Sequence, residues 1–586
     1  MEQAAEIELL RGSDETGIGA PHCRPWLCVP HALSRNEGRL IAVALVLGPI
    51  LRYVGETEAT VWVEADEPCE VEVLGRFART FEVAGHHYAI VVLTGLEPAS
   101  TYEYRVALNG ETVWPERGSA YPPSRIRTMG ARGPVRVVVG SCRVANPHYP
   151  PFTLARSDHP EGRGTDALTA LAEHVRSRAP EELPDLILHL GDQVYADEMP
   201  EEVRRYVETR SERRDAPDTE VVDFEEYTRL YRAAWGEPTM RWLLSTVPSA
   251  MVFDDHDVHD DWNTSDAWVA RMRRLPWWEE RITSAFMSYW VYQHAGNLSP
   301  HALAEDGLLD RLAGVRADAG PLLRRIAVDA ADRPDARRWS YTRELGPATL
   351  LVIDSRACRC LNPGARDMLD AQSWTWLERT LHDASGHLMV ATSLPLLLPH
   401  SFHHLEAWSE HICAGAWGRP GRALGERVRE RLDLEHWAAF ESSFGRLSGL
   451  LLAAAERPEV ASVTCLSGDV HFGYVAELRR PGGVARVRQV VCSPMRNHLG
   501  ASTRAAVRVA CSGAAAAVGR TLARMAGAPA PEFRWRITQG PWFENHVGQL
   551  ELSRERAQLQ VEAAIPGRHP EMQRVLTARL DGDAGP

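Results

Sequence analysis

Leu186-Ile187-Leu188-His189-Leu190-Gly191-Asp192-Gln193-Val194-Tyr195 runs from a short, almost wholly apolar segment into a glycine and a carboxylate. A run of this length, ended by a turn residue, reads as a strand buried on both faces of an α/β sheet. The glycine lets the backbone turn sharply and approach a ligand closely. Asp192, delivered at the mouth of the strand, can bridge two cations. Tyr195 stands three residues on, where it can bind one of them as a phenolate if that cation is as Lewis acidic as ferric iron.

The same arrangement recurs along the chain. Apolar runs at 135–139, 250–253, 349–353, 388–391 and 463–466 end on Gly140-Ser141-Cys142, Asp254-Asp255-His256, Asp354-Ser355-Arg356, Thr392-Ser393 and Ser467-Gly468-Asp469. Ligands of open α/β sheets collect at the carboxyl ends of strands, so six such ends describe one cleft. Positions 254–261 hold five Asp and two His; charges so crowded demand a cation or solvent. Asp469 and His471 lie two apart, and in an extended segment both face one side. Cys142 offers a thiolate suited to iron or zinc, and Arg143 and Arg356 follow two of the strand ends.

The bulk properties fit a folded enzyme. The 586 residues exceed what one core usually serves, so two or three domains, or one large domain with insertions, are expected. A net charge of −14 disfavours nucleic acid or anionic membrane as partner; a small anionic substrate then needs local positive charge, which metal ions supply. The apolar run 41–47 is too short to cross a bilayer. The early Glu2, Glu6, Glu8, Asp14 and Glu15 are the reverse of a secretory signal. Ten cysteines without disulfide spacing point to a reducing cytoplasm.

The expected organisation is a poorly ordered tail at 1–40, a β-sandwich at 45–130, a large α/β domain at 133–565 and a C-terminal tail at 566–586. Short alternating segments such as 59–63 and 70–73, set apart by turns, carry the sandwich. The stretch Leu96-Glu97-Pro98-Ala99-Ser100-Thr101-Tyr102 resembles the tyrosine corner of fibronectin type III domains. Residues 121–134, rich in Pro, Gly and Arg, read as a linker between independently packed units. Helical stretches at 201–244, 268–338 and 404–456 wall the cleft, and segments after 484 form a second, antiparallel sheet with one helix across 501–528.

Taken together, Gly191-Asp192-Gln193-Val194-Tyr195, Asp254-Asp255-His256-Asp257 and Gly468-Asp469-Val470-His471 resemble the calcineurin-like metallophosphoesterase superfamily, and PhoD-type alkaline phosphatases most of all, over 132–564. The resemblance implies an α/β (α+β) fold in which a fibronectin-III-like β-sandwich precedes a four-layer αββα metallophosphatase domain with helical insertions. It implies that Cys142, Asp192 and Tyr195 hold an iron-like metal, with Asp192 bridging. Asp255, Asp469 and His471 stand at further metal-ligand positions of the family's motifs.

Asp469 stands where a His is usual, and Ser393 follows the strand after which another ligand His is usual. Both departures favour Fe3+ with Ca2+, Mn2+ and Zn2+ being the alternatives. The expected reaction is in-line attack of a metal-bound hydroxide on a phosphomonoester or phosphodiester. His256 would protonate the leaving oxygen, and Arg143 and Arg356 would stabilise the phosphoryl charge. Asp257, His259, His404 and Arg496 are candidate substrate contacts. By analogy with the family, secretion is the alternative to the cytoplasm. An inactive binding protein on the same scaffold is the alternative to an enzyme.

Overall fold

In the computed structural model, which describes residues 43–581 apart from 132, 211–215, 363, 481–486 and 568–569, the apolar runs become strands of two sheets, all of them inner strands but Ser249–Met251, which lies at an edge. The tail expected at 1–40 lies outside the described residues. Val135–Gly140, Leu186–His189 and Ser249–Met251 are parallel neighbours in a six-stranded sheet. His546–Ser553, Arg556–Ile565 and Glu571–Arg579 extend it antiparallel. Ala348–Val352, Gly386–Ala391, Val460–Ser467 and Val487–Val491 form the parallel centre of a seven-stranded sheet. Tyr341–Leu345, Gly473–Arg479 and Arg534–Trp542 complete it antiparallel.

Three sequence expectations are corrected here. The late strands, expected to form one antiparallel sheet, complete both sheets, each of which carries three of the six strand ends. An apolar run announces burial on both faces but does not name its lateral neighbour. Residues 566–586 are not simply a tail: Glu571–Arg579 is an edge strand, with Met572 and Leu576 packed on the core and most other side chains exposed, which blurs the apolar alternation. The helix expected across 501–528 is two helices, Ala501–Ala510 and Gly513–Met525, with Ser512 capping the second through Ala515 N.

Strand alternation explains the layering. In Gly386–Ala391, Met389 and Ala391 meet Val137 and Val139 in the core between the sheets. Leu388 and Val390 point the other way, onto Trp374 and Leu377 of helix Ala371–Asp383 and Phe444 and Leu447 of helix Glu441–Ala455. Helix Ala167–Val175 packs on the strands Arg556–Ile565 and Glu571–Arg579 of the other sheet. The order is helix, sheet, sheet, helix.

The N-terminal strands form two four-stranded sheets, Leu45–Val54/Glu58–Ala65/His86–Thr94/Phe81–Val83 and Arg76–Arg79/Glu70–Val73/Val106–Leu108/Glu111–Trp114. Val61, Val63, Val91 and Leu93 face the second sheet. Trp62, Tyr88 and Ile90, the alternate positions, join the core of the large domain. The Tyr102 hydroxyl accepts the Glu97 N–H at 2.7 Å, the contact of a tyrosine corner. Trp62 Nε1 donates to Val291 O at 3.0 Å, and the fully buried Arg52 donates to Gln293 O at 2.6 Å. The two units are therefore fused through a common core, and the linker composition of 121–134 does not separate them. No helix among the described residues is long and apolar enough to cross a membrane.

His86 ties the sandwich to helix Phe224–Trp235: Nδ1 lies 3.1 Å from Glu64 Oε1 and Nε2 lies 2.6 Å from Glu225 Oε2. Burial alone would lower its pKa, but the two carboxylates outweigh burial and raise it to about 9. A histidine titrates near 6.5 in the unfolded chain, so this contribution is whole below pH 6.5 and lost as pH rises through 9. His86→Ala is expected to cost about 1–2 kcal/mol at pH 6, after discount for solvent screening. Denaturant titrations should show the gap between parent and variant closing by pH 9.5; a gap independent of pH would refute the linkage.

Candidate metal centre

The residues that follow the strands bend through left-handed backbone where the donors sit. Cys142, Asp192, Asp469 and His471 have φ of 56°, 51°, 67° and 58°. Each such residue costs about 1–3 kcal/mol and persists only where its surroundings over-determine it. Gly191 has φ 132°, and a Cβ there would collide with the Asp254 carboxylate; at Gly468 it would collide with Ser141. These two glycines let the Asp192 and Asp469 loops close on their neighbours.

Cys142, Asp192 and His471 bring one donor atom each within 4.8 Å of one another; so do Asp192, Asp254 and Asp255, and so do Asp255, Glu435 and Asp469. Asp192 is common to the first two groups and Asp255 to the last two, so the positions run in series. The Tyr195 hydroxyl donates to Asp192 Oδ2 at 3.3 Å, beside the first. Asn497 Nδ2 lies 3.5 Å from His471 Nε2.

The chemistry of these donors fits metal ions. Asp192 Oδ1 and Asp254 Oδ2 are buried without a hydrogen-bond partner among the described residues. Burial pushes the Asp192 carboxyl far above its usual range, with Asp255, Asp257 and Asp469 adding to the effect against His256. Burial, then Asp192 and Asp469, likewise raise the Cys142 thiol. Burial lowers His471 to about 4, so its imidazole is neutral and has a lone pair to give. Only added positive charge lets these acids ionise together.

Two further groups frame the cluster. His256 Nδ1 lies 2.9 Å from Asp197 Oδ1, and its ring sits 4.4 Å from that of Tyr195. Burial opposes the imidazolium, but Asp197, Asp192 and Asp255 outweigh it and raise the His256 pKa well above the usual value. His436 Nδ1 is 2.6 Å from Glu406 Oε1 and its Nε2 is 3.1 Å from Asp469 Oδ2. A cavity of about 270 Å³ opens over Asp192, Asp255, His256, Asp469 and His471.

The sequence profile of the PhoD-like phosphatases matches residues 169–539. The chain belongs to the PhoD-like phosphatase family. It is a metal-dependent phosphoesterase. Residues 42–126 match a domain of unknown function, DUF7800. Among solved structures, that of PhoD aligns at 14% identity with a TM-score of 0.56, covering 93% of this chain and 92% of that one. A purple acid phosphatase, PPD1, from yellow lupin (Lupinus luteus) seeds aligns at 13% identity and a TM-score of 0.43, covering 89% and 72%. No curated protein matches the chain significantly.

The structure of this PhoD-like phosphatase gathers all six expected ligands, Cys142, Asp192, Tyr195, Asp255, Asp469 and His471, and places His256 against them. The arginines are corrected. Arg143 is held by Asp166, Nε to Oδ2 at 2.8 Å, and by Ala234 O at 2.8 Å. Arg496, fully buried, donates to Asn146 O and Pro147 O. Arg356 has no exposed surface: Nε meets Asp254 at 2.7 Å, Nη2 meets Asp255 at 3.1 Å and Asp469 at 3.0 Å, and Nη1 meets Glu435. It is a counter-ion inside the cluster and has no free face for a phosphoryl group.

The other substrate contacts expected from sequence also find different partners. Asp257 is buried and takes up the amides of Val194 and Asp254 at 3.3 and 3.2 Å and Gln293 Nε2 at 3.1 Å, bracing both loops from behind. His259 turns to Asp260 O at 2.8 Å, edge-on to Trp268 and Trp278. His404 packs under Gly519 of helix Gly513–Met525, and burial lowers it to about 4.

Asp254, Glu435, His436 and Glu406 belong to the cluster without having been singled out as ligands. Asp254 sat inside the quoted acidic run. Glu435 and His436 lie in Asp433-Leu434-Glu435-His436, a turn between helices that no apolar strand introduces.

Proposed function

We propose that the chain hydrolyses phosphoric esters at a centre in which Cys142, Asp192, Tyr195 and His471 hold an iron ion. Asp192, Asp254 and Asp255 would hold a second, harder cation such as calcium, with manganese or zinc as alternatives. The observation that carries this is Asp192, shared by two donor groups, with a buried oxygen that hydrogen-bonds to nothing else among the described residues. Bound there, such cations would polarise the phosphoryl oxygens and acidify a coordinated water.

The chain's own residues supply the proton and the alignment. Asp197 fixes His256 by Nδ1, so Nε2 faces the cavity and carries the proton that the leaving oxygen takes up as the ester P–O bond breaks. Gly191 and Gly468 allow the loops to close, and Asp257 braces them. Arg356 balances the carboxylates between the two sheets.

Exhaustive chelation of the purified protein is expected to abolish hydrolysis of p-nitrophenyl phosphate, with return of activity on adding iron with calcium. Elemental analysis before chelation should find iron. A protein active after complete chelation would refute the reading. A metal-free protein that stays inactive on reconstitution would favour a binding role. Parallel assays with bis-p-nitrophenyl phosphate assign monoester or diester preference.

A further inference from the structure

The walls of the cavity over the metal centre differ sharply from its floor. Leu398, Phe402, Leu434, Phe472, Leu499 and Val507 line it from separate segments, so one apolar wall is assembled from helices His400–Cys413 and Ala501–Ala510 and from four loops. The polar groups among the rest are mostly acidic, Asp260, Asp433, Glu406 and Glu435, joined by Thr503 and by His436, whose two ring nitrogens are taken up by Glu406 and Asp469. No arginine among the described residues lines the cavity, and the chain contains no lysine at all. The guanidinium nearest the floor, that of Arg356, is buried and shared among four carboxylates.

These facts restrict what accompanies the phosphoryl group. A second phosphate or a carboxylate on the substrate would meet carboxylates, and the one further imidazole of the lining, that of His436, is already held between Glu406 and Asp469. A polyhydroxylated group laid on the apolar wall would lose its water against leucine and phenylalanine without replacement hydrogen bonds there. A volume of about 270 Å³ lies just below the range of roughly 300–1,000 Å³ that encloses drug-sized ligands, which suits one ring or a short alkyl chain. His256 borders the same space, so the ester oxygen can reach its Nε2 while the alcohol part lies on the apolar wall.

We infer that this enzyme takes singly phosphorylated esters whose alcohol part is apolar and uncharged, an alkyl or aryl phosphate, and discriminates against nucleotides and sugar bisphosphates. The inference rests on the phosphoesterase reading above and names the substrate class of that same site.

The test uses the metal-loaded full chain and compares esters of similar leaving-group basicity, so that chain length alone varies. From ethyl to butyl to hexyl phosphate, kcat/KM is expected to rise about 10- to 100-fold, the discrimination an apolar pocket can exert. Glycerol phosphate should fall below propyl phosphate, and ATP and fructose bisphosphate should be poorer still. Phe402→Ala should flatten the rise with chain length. Leu432→Arg, at a lining position 52% exposed and so tolerant of change, should narrow the gap between fructose bisphosphate and hexyl phosphate. If glycerol or ethyl phosphate is turned over as well as hexyl phosphate, the pocket assignment falls and the phosphatase reading stands. If the metal-loaded protein hydrolyses none of the series, both fall.

Discussion

His256→Ala is expected to slow hydrolysis of an alkyl phosphate about 10²- to 10⁴-fold, the usual worth of a positioned general acid. An alkoxide is a poor leaving group and needs the proton in the transition state; p-nitrophenolate leaves without it. The variant should therefore lose far less on p-nitrophenyl phosphate, and the ratio of the two losses is the measurement. The geometry motivating this is the Asp197 carboxylate 2.9 Å from Nδ1, which orients the ring and favours its protonated form. His256 appears in a donor group with Asp197 and Asp260 but in none of the three groups that share Asp192 and Asp255, so metal content should not change. Equal losses on both esters, or a loss of metal, would show that the ring acts otherwise.

Arg356→Leu is expected to be the most destabilising single change at the site. Its guanidinium, with no exposed surface, faces Asp254, Asp255, Glu435 and Asp469. Removing one partner of a buried ion pair costs about 3–5 kcal/mol because the remaining charge is left uncompensated. Denaturant unfolding of the metal-free variant should show a loss of that size. Saturating calcium should recover part of it, since a ligand bound only by the native state at 100 times its Kd adds about 2.7 kcal/mol. A variant as stable as its parent but slow in turnover would restore the role expected from its place at a strand end, contact with the phosphoryl group.

The contrast between Arg356 and His256 shows where sequence reasoning reached and where it stopped. Both lie just past a strand; Arg356 is assigned to the phosphoryl charge on that ground, and His256 by its place in the motif that carries the family resemblance. We retain His256 as the proposed acid because Asp197, two residues past Tyr195, holds its Nδ1 and the ring borders the cavity. Arg356 changes role because its four partners come from three separate points of the chain, and Arg143 and Arg496 because Asp166, the residue that caps helix Ala167–Val175, lies between them. A guanidinium beside a strand end reads the same in sequence whether it meets substrate or carboxylate.

The sequence by itself determined the inner strands and their ligand-bearing ends. Buried strands must be apolar on both faces, and a donor set as dense as 254–261 has few physical uses. It also marked Gly191, since a sharp turn that approaches a ligand closely favours a residue without Cβ. The tertiary structure alone decided which of these ends share a sheet, that Glu435 and His436 join them from a helical insertion, and that the wall above the metal centre is apolar. Each of those depends on which distant segments become neighbours, and neighbourhood across a core is set by the packing of whole faces, which no local pattern of residues records.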